Sequence, residues 1–324
     1  MKRERSSSGV PVEVQKAFNV WPGEVQNAGR VYQVSCARGL FALKEVEPNR
    51  EKLSFSCSVI CFLREKGFLA AVPCEAASNG EPFFIHQDTG YLLSPWIEGK
   101  SPDFTSLHHL STAVNLMADL HLKGQGYVPA PGRWYRSRLG RWPHEWSQGL
   151  EEIRRCFHFR AFISELERQG EHAITMLTSG AAYQTGVEQA GKDGTLCHRD
   201  LVHHNFLMDN LSNLHIIDFE YCALELPVAD VGRFFRKSLP LHGWKEEVME
   251  QLLGIYHSVH PLSCRDRLIL RAYLTFPHEW WRLAHRILQG RVSRIEIPKR
   301  INALKDQDFG RVELLPKLAP GSLE

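Results

Sequence analysis

The sequence predicts an α+β fold with a small, β-rich N-terminal lobe and a larger, mainly helical C-terminal lobe. Three observations lead to this fold class. Segments in which apolar and polar residues alternate, as in strands, are concentrated before residue 97. From about residue 103 the apolar residues recur with a helical period, most clearly over 107–122. Within the later part, 206–217 contains two short apolar runs around a polar turn, which indicates a hairpin.

The composition is that of an ordinary globular protein. The 324 residues carry a formal net charge of +2, and 43% of them are hydrophobic. Dedicated nucleic-acid-binding proteins are usually more basic, so we expect no nucleic acid partner. We also expect no membrane span, because the longest apolar runs fall short of the roughly 18–20 residues that a membrane helix needs. No apolar segment follows the charged first residues, so no secretory signal is predicted.

The cysteines indicate an intracellular protein. There are eight, they are scattered through apolar segments, and none forms a C-x-x-C pair. We therefore expect them to be reduced core residues. They are Cys36, Cys57, Cys61, Cys74, Cys156, Cys197, Cys222 and Cys264.

The order of predicted elements sets the limits of the lobes. We expect a flexible tail at 1–9, the N-terminal lobe at 10–97, the C-terminal lobe at 98–310 and a second tail at 311–324. After a break at Trp21-Pro22-Gly23, the predicted elements of the N-terminal lobe are a hairpin of Arg30–Cys36 and Leu40–Val46, a helix over Arg50–Lys66, and strands at Phe68–Val72, Pro82–Gln87 and Gly90–Leu93. Beyond the 107–122 stripe, the predicted helices are two within 147–190 and others near 243–258, 263–288 and 297–306.

Residues 197–220 carry the pattern that indicates chemistry. His198-Arg199-Asp200-Leu201 and Asn205 match H-R-D-L-x-x-x-N, and Asp218-Phe219 follow after the predicted hairpin. In a site of this kind, one carboxylate accepts the proton of an attacking hydroxyl. An amide oxygen and a second carboxylate hold Mg²⁺ on the nucleotide phosphates. The hairpin is expected to bring Asp218 back beside Asn205, so that the two metal ligands converge.

Lys44 lies inside a predicted strand, within Phe41-Ala42-Leu43-Lys44. A lysine on an early strand is the group that reaches the α- and β-phosphates of ATP in such a site. The alternative is a lysine on the solvent face of a strand. The 197–220 pattern favours the functional interpretation.

The helix after Lys44 is expected to supply an acid that pairs with this lysine. Its middle, residues 54–59, contains none, and acids lie only near its ends, at Glu51 and Glu65. Glu51 is the better candidate. The alternative is that Glu51 complements the helix dipole from the first turn.

The segment 92–99 begins as a strand and ends in a glycine turn, so it suits a connection between lobes. Backbone groups around Pro95 and Ile97 are candidates for binding the adenine edge of a nucleotide. The alternative is a plain exit from a strand.

Three other groups allow two interpretations. Asp230 either caps a helix or is a buried carboxylate that braces the loop around Asp200. The Arg- and Trp-rich stretch 130–147 either is a docking surface or packs its tryptophans into a core.

Finally, a zinc site could use His198, His203, His204 and Cys197, although adjacent histidines in extended chain point in opposite directions. His203 and His204 could instead line a substrate cleft.

These motifs together resemble the aminoglycoside phosphotransferase and choline kinase branch of the protein-kinase-like fold. Within that branch the chain is most similar to the CotS-type spore coat proteins of endospore-forming bacteria, over most of residues 20–290. The segments that carry the resemblance are Phe41–Lys44, Leu120-His121, Trp96–Gly99 with Pro102–Phe104, Cys197–Asp200 with His203–Asn205, Ile217–Cys222 and Pro227-x-x-Asp230.

The resemblance implies a bilobal kinase-like fold with Asp200 as catalytic base and His198 in the same catalytic set. It implies Asn205 and Asp218 as Mg²⁺ ligands and Lys44 on the phosphates of ATP. The phosphoryl acceptor would be a hydroxyl-bearing small molecule or protein. The family also implies cytoplasmic synthesis in the mother cell, deposition in the spore coat and other coat proteins as partners.

The sequence departs from the kinase pattern in three places. The N-terminal lobe has no G-x-G-x-x-G, only a turn at Gln26–Gly29; the helix after Lys44 lacks its central acid; and Glu220 replaces the glycine of D-F-G. Two hypotheses follow. One is an active phosphotransferase, and the other is a kinase-like scaffold of the spore coat with weak or lost catalysis.

Overall fold

The structure is a computed structural model that describes residues 9–21, 23–29 and 31–315. The predictions for Pro22, Arg30, most of the first tail and most of the second tail therefore lie outside the described residues. The chain divides into two compact units. The first contains the chain up to Pro102, Tyr127–Arg136 and His203–Cys222, and the second contains Asp103–Gly126, Ser137–Val202 and the chain from Ala223 onward.

The described elements are named here in chain order. The strands are β1 (Glu24–Asn27), β2 (Val31–Cys36), β3 (Gly39–Val46), β4 (Phe84–His86), β5 (Thr89–Pro95), β6 (Gly99–Lys100), β7 (Leu196–Cys197), β8 (Phe206–Asp209), β9 (Leu214–Ile216) and β10 (Ala223–Leu224). The α-helices are α1 (Val12–Ala17), α2 (Arg50–Glu65), α3 (Leu107–Lys123), α4 (Trp142–Arg155), α5 (Ile163–Thr178), α6 (Ala182–Asp193), α7 (Pro227–Ser238), α8 (Glu246–Val259), α9 (Cys264–Thr275), α10 (His278–Leu288) and α11 (Glu296–Leu314).

A five-stranded antiparallel sheet is the basis of the first unit, with the strand order β1-β2-β3-β5-β4. Val34, Leu43 and Leu93 are buried from this sheet and pack in one cluster with Val14 of α1. Because side chains alternate along a strand, Lys44 points to the face opposite Leu43. The pattern of strand β3 thus places the lysine away from this apolar core.

Helix α2 follows the sheet strand β3 and is capped by Asn49, whose side chain accepts a hydrogen bond from the N–H of Lys52 at 3.1 Å. Leu53 and Cys57 of this helix pack with Phe83 in a second apolar cluster. The cap and the buried stripe explain why the predicted helix begins at Arg50 as expected.

The predicted hairpin in 197–220 is present as β8 and β9, which pair antiparallel and continue onto β6. Its turn is held by Asp209, whose Oδ1 accepts hydrogen bonds from the N–H groups of Leu211 and Asn213. This sheet belongs to the first unit. The observed division thus differs from the predicted lobe at 98–310, because this hairpin falls in the first unit, where Ile216 forms a bridge with Ala71.

The second unit is mainly helical, and its one strand pair among the described residues joins β7 to β10. Ile153, Phe159 and Trp280 are buried members of one of its apolar clusters. Trp142 and Trp146 are buried, with their rings stacked 5.4 Å apart. For these two tryptophans, the core interpretation of the Arg/Trp stretch is confirmed.

The strand predicted at Phe68–Val72 is wrong. Only an isolated bridge joins Ala71 to Ile216 there. Arg64 of α2 explains the difference, because its guanidinium donates hydrogen bonds to the carbonyl oxygens of Leu69 and Ala71 at 3.0 and 2.7 Å. These carbonyl groups are thereby engaged by a side chain.

The predicted helices of the second unit are present but differently divided. The span 147–190 belongs to three helices rather than two, and Pro277 separates α9 from α10 within 263–288. Helix α11 runs to Leu314, past the predicted start of the tail at 311. Arg311 explains this extension, because it is buried and donates hydrogen bonds to the carbonyl oxygens of Leu274 and Thr275. No described helix is long and apolar enough to span a membrane.

Candidate active site

Lys44 forms ion pairs with two carboxylates of the first unit. Its Nζ lies 2.8 Å from Asp218 Oδ2 and 2.6 Å from Glu220 Oε1. Burial alone would lower the pKa of Lys44, but the charges and hydrogen bonds of Asp218 and Glu220 raise it above its usual value. Lys44 is therefore a cation at neutral pH. Its side chain is 27% exposed, which leaves it open to a ligand.

Asp218 adopts the left-handed backbone conformation, with φ 68° and ψ 62°. Aspartate tolerates this region better than most residues do. The 3₁₀ helix Phe219–Tyr221 begins directly after it. The tight turn lets Asp218 and Glu220, two positions apart, approach the same ammonium group.

Asn205 lies beside Asp218 because the hairpin closes there. The carbonyl oxygen of Asn205 accepts a hydrogen bond from the N–H of Ile217 at 3.0 Å, and Asn205 is 3% exposed. Asp218 Oδ1 is buried and has no hydrogen-bond partner within the described part of the chain. Carboxylate and amide oxygens are the ligands that hard divalent cations prefer. The residues present therefore fit such a cation.

The segment Tyr127–Arg136 links helix α2 to the turn that carries Glu220. Arg136 Nη1 donates a hydrogen bond to the carbonyl oxygen of Glu220 at 2.7 Å. Tyr127 and Ser58 of α2 join their hydroxyl groups at 2.8 Å. The ring of Trp134 lies edge-on to Phe55 of α2 at 5.9 Å. This segment supports the backbone of one carboxylate that pairs with Lys44.

Asp230, in the second unit, holds the backbone of the H-R-D segment. Its Oδ2 accepts a hydrogen bond from the N–H of His198 at 2.7 Å, and its Oδ1 accepts one from the N–H of Arg199 at 2.9 Å. Arg199 is itself left-handed, with φ 72°. The bracing interpretation of Asp230 is confirmed. The N-cap interpretation is wrong, because α7 begins at Pro227 and Asp230 lies in its first turn.

The charge of Asp230 is stabilised although the side chain is fully buried. Burial would raise the pKa of its carboxyl group. The hydrogen bond and charge of His121, together with the charge of Arg233, hold that pKa far below its usual range instead. Asp230 is therefore an anion that depends on its partners.

Glu225 is a second buried carboxylate of this network, at 1% exposure. Its Oε2 accepts hydrogen bonds from Arg199 and Arg233, both at 2.9 Å. Its Oε1 accepts one from the indole N–H of Trp142 at 2.9 Å. Both carboxylates thus fix Arg199, one through its backbone and one through its side chain.

His198 has a different place from the one the sequence indicated. It is fully buried, and its Nδ1 accepts a hydrogen bond from the N–H of Asp200 at 3.3 Å. Such a buried ring suits a positioning residue, and the membership of His198 in the catalytic set stays a prediction. Asp200 itself is half-buried.

The candidate zinc ligands do not assemble as predicted. The group of possible metal ligands in the described chain is His121, Cys197 and Asp230. Burial raises the pKa of Cys197 well above its usual value, and its thiol donates to the carbonyl oxygens of Glu225 and Leu226. These groups are already engaged with each other or with the backbone. His203 and His204 are exposed, so a role at a substrate cleft stays a prediction.

Glu51 does not pair with Lys44, whose described acidic partners are Asp218 and Glu220. Glu51 is exposed in the first turn of α2, which agrees with the alternative of a dipole-complementing residue. Pro95 ends β5, paired with Phe41, and Ile97 lies in the connection that follows. Their role toward a nucleotide stays a prediction.

Glu220, Arg136 and Glu225 were missed as site residues. The sequence contained a signal for Glu220. An acid replaces the glycine of D-F-G in the same chain in which the central acid of α2 is missing. Arg136 and Glu225 gave none that a single sequence can reveal, since their partners are distant along the chain.

Comparison with known proteins assigns the family. The phosphotransferase enzyme family matches residues 28–268. The chain belongs to this family. The match includes Lys44 and the whole of the 197–220 pattern, so the candidate site lies inside the matched region.

Similar proteins agree with this assignment. Spore coat protein S of Bacillus subtilis (strain 168) is 24% identical over 274 residues, which cover 79% of this chain and 76% of that protein. An aminoglycoside phosphotransferase from Alicyclobacillus acidocaldarius superposes with a TM-score of 0.81 at 18% identity, covering 95% of each chain. An amicoumacin kinase in complex with AMP-PNP, Ca²⁺ and amicoumacin has a TM-score of 0.57 at 12% identity, with coverage of 93% and 90%.

The comparisons confirm two predictions. The fold is that of the phosphotransferase branch of kinase-like proteins, and similar solved structures include both aminoglycoside phosphotransferases and choline kinases. The resemblance to CotS-type proteins is confirmed as a relationship to spore coat protein S.

Proposed function

We propose that this family member is an ATP- and Mg²⁺-dependent phosphotransferase acting on a hydroxyl group. The observation that carries the proposal is the Lys44–Asp218 ion pair next to a buried carboxylate oxygen without a hydrogen-bond partner in the described chain. A cation and a carboxylate oxygen are thereby held ready for a ligand that carries both negative charge and a metal ion.

Each residue has a distinct role in this proposal. Lys44 binds the α- and β-phosphates of ATP. Asn205 and Asp218 hold Mg²⁺, which neutralises charge on the transferred phosphoryl group when it is bound. Glu220 keeps Lys44 charged and extended, the role that an acid of the neighbouring helix has in protein kinases.

Asp200 is the general base and accepts the proton of the acceptor hydroxyl. Its backbone N–H is held by His198, and the N–H groups of His198 and Arg199 are held by Asp230. A carboxylate on a backbone fixed in this way loses little freedom when a hydroxyl group binds.

The relatives support the nucleotide, the metal and the setting. The amicoumacin kinase structure contains AMP-PNP and Ca²⁺. The relative from Bacillus subtilis is named a spore coat protein, so we place the proposed activity in the mother cell during sporulation and the protein afterwards in the spore coat. The acceptor is a hydroxyl-bearing small molecule or protein, and other coat proteins are the expected partners.

Binding and turnover of ATP test the enzymatic proposal. Titration calorimetry with ATP, with and without Mg²⁺, is expected to give metal-dependent binding for the wild type. Asp218→Ala should lose the metal dependence, whereas Asp200→Ala should bind Mg-ATP and lose turnover. Asp88→Ala, in the exposed turn between β4 and β5, is the matched control. Absence of binding by the wild type at millimolar ATP would overturn the proposal.

A second candidate function is a structural role in the coat with weak or lost catalysis. The observations that favour it are the coat-protein relative and a β1–β2 turn without the usual phosphate-binding glycines. Spores that express Asp200→Ala at normal levels distinguish the two functions. Intact coats would favour the scaffold, and defective coats would exclude a purely structural role.

A further inference from the structure

Two thiols of the first unit lie in van der Waals contact. Cys57 Sγ of α2 is 3.6 Å from Cys74 Sγ, in the irregular segment that follows this helix. Both are unlinked cysteines, Cys57 buried and Cys74 half-buried. A shift of about 1.5 Å would bring the two sulfur atoms to the length of a disulfide bond.

The environment shifts the pKa values of the two thiols in opposite directions. The hydrogen bond with Cys74, followed by burial, raises the pKa of Cys57. The same hydrogen bond lowers the pKa of Cys74. Cys74 is therefore the sulfur that forms the thiolate more readily, and it is also the more exposed of the two. Thiolate character and access are what make a cysteine react with an oxidant.

We propose that Cys57 and Cys74 form an oxidation site that closes to an intramolecular disulfide when the protein meets a peroxide. The Cys74 thiolate attacks one oxygen of hydrogen peroxide, giving a sulfenic acid and releasing hydroxide. The sulfur of Cys57 then attacks the sulfur of Cys74, and the sulfenic hydroxyl leaves with the Cys57 proton as water. In sum, two thiols and one peroxide give one disulfide and two waters.

The bond would fasten α2 to the main sheet. Glu75, next to Cys74, donates its N–H to the carbonyl oxygen of Leu93 in β5 at 2.7 Å. Strand β5 in turn pairs with β3, where Leu92 lies opposite Lys44. A disulfide between Cys57 and Cys74 would thus join α2 covalently to the segment around Glu75. That segment is hydrogen-bonded to β5, and β5 pairs with the strand that carries Lys44. We expect it to stabilise the first unit.

Cys61 is an alternative partner for a disulfide with Cys74. It lies one turn after Cys57 on α2, is exposed, and its pKa is raised by burial and by the nearby Cys74. If exposure alone decided reactivity, Cys61 would be oxidised first and would pair with Cys74. The proposal requires the Cys57–Cys74 pair instead.

Peptide mapping after oxidation tests the site. The full-length protein is treated with hydrogen peroxide, quenched with catalase, alkylated in denaturant and digested without reduction. The wild type and Cys61→Ser are expected to give the peptide linked through Cys57 and Cys74, with two fewer alkylated cysteines than before treatment. Cys74→Ser should lose it, and Cys264→Ser is the exposed control.

The thermal unfolding temperature provides a second measurement. The oxidised wild type and oxidised Cys61→Ser should unfold at a higher temperature than their reduced forms, and the shift should disappear in Cys74→Ser. A link between Cys61 and Cys74, sulfinic acid at Cys74 without a disulfide, or unchanged alkylation would each overturn the proposal. The measurement is independent of whether the protein transfers phosphate.

Discussion

Two charged clusters lie at the kinase-like motifs of this chain, and their polar groups are hydrogen-bonded to different degrees. The Lys44 cluster is partly exposed, between 27% and 33% for its three side chains, and retains a buried oxygen of Asp218 without a hydrogen-bond partner in the described chain. In the Asp230 cluster, the side chains of Asp230 and His121 are fully buried, and both oxygens of Asp230 accept backbone hydrogen bonds.

This difference distinguishes a cluster that can bind a ligand from a cluster that stabilises the fold. A buried carboxylate with all its partners has little capacity left for a ligand, and removing it is costly. A half-exposed ion pair contributes little to stability but can exchange partners with a phosphate or a metal ion. We therefore expect changes in the Asp230 cluster to alter stability and changes in the Lys44 cluster to alter ligand binding.

Asp230→Asn should produce the largest effect. It removes a buried charge that Arg233 and His121 face, and it leaves one of the two backbone N–H groups facing a donor instead of an acceptor. We expect a loss of about 3 kcal/mol in the free energy of unfolding, measured by urea denaturation. Asp103→Asn, an exposed turn residue that accepts a backbone hydrogen bond from the N–H of Thr105, should lose less than about 1 kcal/mol. Equal losses would show that the burial of Asp230 adds nothing to its contribution to stability.

The stability difference between wild type and Asp230→Asn should depend on pH. The pKa of Asp230 is depressed in the folded state. Its contribution is therefore fully present above the pKa of an unfolded aspartate, about 4, and is lost as the pH falls from there toward the folded value. Urea titrations of both proteins at several pH values between about 6 and 3 should show the gap narrowing below about pH 4. A constant gap would contradict the anionic state of Asp230.

Lys44→Met should weaken ligand binding with little change in stability. Loss of a charge-assisted contact with phosphate should raise the dissociation constant for Mg-ATP by about 10- to 100-fold. Titration calorimetry measures the effect. Lys52→Met is a matched control, because Lys52 also forms an ion pair, with Glu47 at 2.8 Å, outside this cluster. Nucleotide affinity that is the same in both variants would exclude Lys44 from the site.

Glu220→Gln should have a smaller effect on the same measurement. The variant keeps the shape of the side chain but removes one of the two charges that hold Lys44. We expect nucleotide to bind about 3- to 10-fold more weakly, from an ion pair worth about 1 kcal/mol. Glu45→Gln, exposed on the same strand as Lys44, is the control. An unchanged affinity would show that Asp218 alone is sufficient to hold Lys44 for nucleotide binding.

Glu51→Gln should have the smallest effect. Glu51 is exposed, so its loss should change nucleotide affinity by less than about 2-fold and stability by less than about 0.5 kcal/mol. The same calorimetric and denaturation measurements apply. An effect as large as that of Glu220→Gln would restore the assignment made from the sequence.

The sequence predicted the parts of this arrangement that depend on nearby residues. The hairpin that brings Asn205 beside Asp218 follows from two apolar runs and a polar turn, and the alternation in β3 directs Lys44 away from the buried face. The bracing role of Asp230 was one of two interpretations, because its partners lie about 30 residues away.

The remaining parts depend on contacts that no local pattern encodes. Glu220 reaches Lys44 from a turn that begins with the left-handed Asp218, a conformation that the sequence does not specify. Arg136 meets Glu220 across 84 positions of sequence. The assignment of Glu51 failed for a related reason: it assumed that the acid must come from the helix, whereas the turn after β9 supplies it.

The interleaved course of the chain has a consequence for synthesis on the ribosome. Lys44 emerges with most of the main sheet, but its partners Asp218 and Glu220 emerge only after Asp103–Gly126 and Ser137–Val202 of the second unit have been made, roughly 10–35 seconds later at ordinary translation rates. Until then the first unit is missing β8 and β9 and the acids that face its lysine. A fragment that ends at residue 102 would represent this nascent intermediate, and no single cut in the chain can yield the complete first unit.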